Sequence, residues 1–103
     1  MTTLQIERQG VRAVITPTGD LTSSTAPKLR PQVQALLDRG VRAVTFDLAS
    51  VGVVDSQGLG LLIAANNSLM KIGGRIEVVN ASEELLALFR AMRLDRHFTI
   101  AGL

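Results

Sequence analysis

The sequence predicts an α/β fold: a single small domain with a mixed, mostly parallel sheet of four to five strands and helices packed against it. Three observations carry this. Short β-branched segments alternate with amphipathic helical ones in the order strand, strand, helix, strand, helix, strand, helix, with Phe98 to Ile100 available as a last edge strand. Two strand–helix–strand crossovers in 103 residues call for parallel pairing. Glycines, prolines and capping residues stand at the joints between segments.

The first two segments read as a hairpin. Thr3 to Glu7 alternates apolar and polar, Gln9-Gly10 is a tight turn, and Val11 to Thr16 places Val11, Ala13 and Ile15 on one face. Pro17 and Gly19 end it. Asp20 to Thr25 is a hydroxyl-rich loop in which Thr22, Ser23, Ser24 or Thr25 can cap a helix starting near Ala26. Leu29, Val33, Leu36 and Leu37 recur at helical spacing, and Gly40 stops the helix. Pro31 within it implies a kink or a separate first turn.

Val41 to Leu48 is apolar on both faces, as a central strand covered on two sides would be. The next helix carries Leu59, Leu62, Ile63, Leu69 and Met70 and stops at Gly73-Gly74. Arg75 to Val79 is a further strand. Ser82 caps a last helix with Glu83 and Glu84 in its first turn, and Leu85, Leu88, Phe89 and Met92 form its buried stripe.

At this length the chain is one domain, residues 1–103, with a modest core. The only aromatics are Phe46, Phe89 and Phe98, so that core is aliphatic. There is no cysteine, which excludes disulfides and thiolate chemistry and fits the cytoplasm. The net charge is +2, the cations are scattered along the sequence, and no Tyr or Trp offers a stacking platform; a nucleic-acid partner is not expected. Met1 to Gly10 has no apolar centre, and no apolar run nears the ~20 residues of a bilayer span, so no leader and no direct membrane insertion are expected.

The most informative stretch is Val53-Val54-Asp55-Ser56-Gln57-Gly58-Leu59-Gly60-Leu61-Leu62-Ile63. A buried strand ends, two residues that favour helix N-caps follow, and a helical pattern begins at once. Ser56 thus sits at a helix mouth, where backbone N–H groups lack partners and the macrodipole favours negative charge. Gly58 and Gly60 each cost about 1 kcal/mol inside a helix. Either a neighbouring strand packs tightly against them or a partner's backbone approaches.

Several chemistries are excluded or demoted. His97 is the single histidine, so no histidine metal cluster and no nearby base for Ser56 is expected. Asp20, Asp47 and Asp55 could gather at one sheet edge around a magnesium ion, a reading ranked below a metal-free site. Gly58-Leu59-Gly60 fails as a dinucleotide fingerprint because Ile63 stands where the third glycine belongs, and no phosphate loop ends in Gly-Lys-Ser/Thr. No catalytic residue, resident metal or cofactor is assigned, and the protein is not expected to be an enzyme.

Asp55-Ser56-Gln57-Gly58-Leu59-Gly60-Leu61-Leu62, followed by Gly73-Gly74-Arg75 and a strand, resembles the signature of the STAS domain, as in the anti-sigma factor antagonists. Gly19-Asp20-Leu21 with Thr25-Ala26, Phe46-Asp47-Leu48 and Leu94-Asp95-Arg96 extend the likeness over the whole chain. The resemblance implies that Ser56 is a phosphorylation site and that Asp20, Asp55, Ser56, Gln57, Gly58, Leu59 and Gly60 bind a partner. The family often has Ser or Thr where this chain has Gln57. The implied function is a phosphorylation-switched binding protein in transcription regulation by partner switching. Unphosphorylated, it would bind an anti-sigma factor that is also a serine kinase, and phosphorylation of Ser56 would end the complex. A PP2C-type phosphatase would reverse this, with ATP and magnesium belonging to the partner. The alternative is a non-switching STAS interaction module, such as a cytoplasmic subunit of a lipid-transport ABC complex or a signalling scaffold.

Overall fold

The computed structural model describes residues 2–102. Strands β1 (Leu4–Gln9) and β2 (Arg12–Pro17) pair antiparallel, and Gly10 takes the turn at φ +60°. Helix α1 (Ala26–Asp38) leads to β3 (Ala43–Asp47), α2 (Ser56–Met70) to β4 (Ile76–Ala81), and α3 (Glu83–Ala91) with a 3-10 turn at Leu94–Arg96 to β5 (Thr99–Gly102). The five strands lie in chain order, and β2 through β5 pair parallel. The expected mixed, mostly parallel sheet is present, with three crossovers rather than two.

The sheet is covered on one face, not two. In β3, Val44 and Phe46 are buried while Ala43, Thr45 and Asp47 are half-buried. In β2, Ala13 and Ile15 are buried while Arg12 and Val14 are exposed. Crossovers of one hand that all step in the same direction across a sheet put every helix on the same side. The expectation of a two-sided central strand is therefore corrected: the apolar residues on its open face are small. Phe46, Leu62, Phe89 and Phe98 fill the single core between helices and sheet, each at most 2% exposed.

Other local expectations change. Val11, Met70 and Met92, assigned to apolar faces, are 53%, 54% and 51% exposed, because the hairpin turn and the helix ends run past the core. Pro31 lies inside an unbroken α1. The bond it deletes belongs to the carbonyl of Pro27, an exposed residue that water can serve. No hydroxyl caps α1: Thr25 occupies the cap position, but its Oγ1 accepts from Thr22 N at 2.9 Å and donates to the Asp20 carbonyl at 2.8 Å.

The cations, scattered in sequence, are sorted in space. Parallel strands begin, and helices finish, at one end of the molecule. Arg42 and Arg75 stand just before β3 and β4; Arg39, Lys71 and Arg93 follow the helices; all five are exposed. The other end collects Asp20, Asp47, Asp55, Glu83 and Glu84, with Lys28 and Arg30 of early α1 as its cations.

Candidate functional site

That acidic end is built from the segment leaving β3 and the loop leaving β2. Leu21 N donates to the Val53 carbonyl at 3.0 Å and Asp55 N to the Leu21 carbonyl at 3.1 Å, a short parallel bridge between the two. Asp20 Oδ1 accepts from Gly52 N and Val53 N, both at 3.0 Å. Asp20 is thus a loop staple placed by the turn at Gly19.

Asp55 is the N-cap of α2. Its Oδ1 accepts from Gln57 N at 2.9 Å and Gly58 N at 3.1 Å, and its Oδ2 accepts from Ser23 N at 2.8 Å. These backbone donors, Ser23 first and then Gly58 and Gln57, hold its carboxyl below the ordinary value of 3.8, against a smaller opposing effect of burial. The hydroxyl-rich loop is thereby tied to the mouth of α2.

Ser56 is the first residue of α2 and is exposed, as is Gln57. The bonds that fix the mouth run through Asp55 and not through the Ser56 hydroxyl. The two glycines part company. A Cβ on Gly58 would collide with the Leu21 carbonyl, so a neighbouring backbone forbids any larger residue there. A Cβ on Gly60 would meet only the Arg30 guanidinium, Nη2 at 3.3 Å. Leu59 is 6% exposed and packs in the core, so it shapes the site from below.

Asp47 stands apart, its Oδ1 accepting from Ala49 N at 3.0 Å and Asn80 Nδ2 at 3.1 Å. The three aspartates spend oxygens on separate donors, and among the described residues no three His, Cys, Asp or Glu are grouped to hold a metal ion. His97 precedes β5 at the opposite end, so it offers Ser56 no base. What the site presents is an exposed hydroxyl on a rigid, acidic mouth.

Three contributors escaped the sequence reading. Ser23 acts through its backbone and Arg30 through its position across α2, and neither leaves a pattern. Asn66 is 2% exposed, with Oδ1 accepting from Ile76 N at 3.0 Å. A polar residue on the apolar stripe of α2 was its only signal.

The five-stranded sheet with its helices on one face, and the Asp55-capped corner between β3 and α2, define a small α/β domain of the STAS-like fold. The family model described as Mlab, STAS domain matches residues 4–102. The chain belongs to the STAS domain family, the family of the anti-sigma factor antagonists. It is similar to the anti-sigma-B factor antagonist of Bacillus subtilis, 32% identical over 71 residues, which are 69% of this chain and 64% of that protein. The chain thus spans a little under two thirds of that relative. An anti-sigma factor antagonist from Mycobacterium paratuberculosis superposes with a TM-score of 0.87 at 25% identity, over 100% of this chain and 87% of the other. The Bacillus cell fate determinant SpoIIAA in its phosphorylated form shares the fold, with a TM-score of 0.77 at 20% identity over 97% and 92% of the two chains. Among the described residues no helix is long and apolar enough to cross a membrane.

Proposed function

We propose that this chain is an anti-sigma factor antagonist switched by phosphorylation of Ser56. The observation that carries the reading is the division of labour at the helix mouth: Asp55 holds the geometry and Ser56 is left exposed. Unphosphorylated, the surface around Asp20, Asp55, Ser56, Gln57 and Gly60, with Gly58 and Leu59 shaping it from beneath, binds an anti-sigma factor that is also a serine kinase. The kinase transfers the γ-phosphoryl group of its ATP to Ser56 Oγ; the new O–P bond forms as the bond to ADP breaks, and the hydroxyl proton leaves. The phosphate adds about −1.5 to −2 charge beside Asp55. The fold tolerates it, because a helix N-terminus favours anions, while the apposed surface loses its fit. A PP2C-type phosphatase restores the hydroxyl by hydrolysis. The neighbour whose structure is of a phosphorylated form supports such chemistry on this fold.

The test is recovery of partners from the native cell by the phosphorylated and dephosphorylated chain, with mass spectrometry of Ser56. The switch reading expects an anti-sigma factor kinase with the dephosphorylated chain and its loss on phosphorylation. Equal recovery by both forms, with no phosphate on Ser56, favours a static interaction module instead.

A further inference from the structure

The two glycines of α2 leave one cost unexplained. Gly58 is required by the Leu21 carbonyl, whereas nothing rigid stands where a Gly60 side chain would go. An alanine there would improve helix propensity. What does occupy the space is the guanidinium of Arg30, its Nη2 3.3 Å from the Cβ position.

Ser56 and Gly60 are four residues apart on α2, so they lie on one face with Cβ positions roughly 5–6 Å apart. Arg30 and Gly60 are each the fifth residue of their helix, and the two helices run side by side in the same direction. The tip of Arg30 lies at Gly60, about one helical turn from Ser56 on the same face of α2. Charge points the same way. Among the described residues the Ser56 end holds five carboxylates, and the cations at that end are Lys28 and Arg30. A phosphate on Ser56 next to Asp55 gains from a counter-charge, and Arg30 reaches α2 at Gly60, which has no side chain to stand in its way.

We infer that Arg30, laid over the bare backbone of Gly60, is the cation that receives the phosphate of phosphorylated Ser56, and that Gly60 is glycine to keep that path open. The inference rests on the reading of Ser56 as the phosphorylated residue. Arg30 is a positioning residue here: it holds the phosphate in one orientation on the α1–α2 face, as a guanidinium does with two parallel N–H···O bonds, and so withdraws it from the competing field of Asp55.

The experiment installs phosphoserine at position 56 during translation, so it needs neither the kinase nor any phosphorylation in the cell. The second ionisation of the phosphate is followed by phosphorus NMR in the otherwise native chain and in Arg30→Gln, Arg30→Lys and Arg42→Gln. An adjacent cation favours the dianion, so the native chain should show the lowest value, and Arg30→Gln should raise it by roughly half a unit to one unit. Arg30→Lys should fall between, keeping the charge and losing the fork. Arg42→Gln, at the opposite end, should match the native chain. Equal values in the native chain and Arg30→Gln would overturn the inference, as would an equal rise in Arg42→Gln, which would mark a net-charge effect. These outcomes are separate from those of the partner-recovery experiment, which can fail while the titration succeeds.

Discussion

Asp55 Oδ2 and the backbone N–H of Ser23 meet at 2.8 Å across 32 positions of sequence, joining the loop before α1 to the mouth of α2. With Oδ1 occupied by Gln57 and Gly58, one carboxylate holds three backbone N–H groups on two segments at once. Those bonds favour the ionised form of Asp55, and this fixes the sign of its response to acid.

The carboxyl is held below 3.8 in the folded chain. A group with a depressed folded value contributes its full stabilisation above its unfolded value and loses it as pH falls through the folded one. Asp55→Asn should therefore melt below wild type at neutral pH, and the gap should close as pH drops below about 3.8. Melting curves from pH 7 to pH 2 check this. A gap that is constant with pH would show that charge on Asp55 is not what holds the mouth.

Gly58→Ala and Gly60→Ala should differ in sign. The first forces a methyl group into the Leu21 carbonyl, so overpacking should cost about 2 kcal/mol or more. The second meets only the mobile end of Arg30 and should be neutral or stabilise by up to about 1 kcal/mol. Chemical denaturation of both variants measures this. Equal losses would mean the first turn of α2 is constrained at both positions.

Asn66→Ala should cost about 1–3 kcal/mol, because Ile76 N would lose its acceptor inside the core. Phe46→Ala, in the middle of β3 at 0% exposure, should cost about 3–5 kcal/mol. Denaturant midpoints for the two, read against wild type, test whether the core has this order of importance.

What could be read from the sequence was whatever leaves a local pattern. The hairpin at Gly10, the Ser82 cap of α3, the stop at Gly73 and the Asp55-Ser56 corner all have such signatures, and each stands where it was expected. Periodicity marks an apolar face without saying whether anything covers it, so it predicts a covered second face for β3 and inward positions for Met70 and Met92, whereas that face is open and both methionines are exposed. The site's wider frame was hidden for a different reason. Ser23 contributes a backbone N–H, Asp20 reaches Gly52 and Val53 over more than thirty residues, and Arg30 matters only because α1 lies beside Gly60. The sorting of charge to two ends follows from strand direction, which no window of sequence contains.

In the proposed function Ser56 is a switch laid on a frame it does not support. Partner affinity and melting temperature, measured together for wild type, Ser56→Ala and Ser56→Asp, test it most directly. Ser56→Ala removes a hydroxyl that the Asp55 bonds do not use, so it should keep partner binding and lose at most about 1 kcal/mol of stability. Ser56→Asp places a fixed charge where a helix N-terminus accepts anions, so it should melt near wild type while its affinity falls. Equal affinities for the alanine and aspartate variants would contradict the switch.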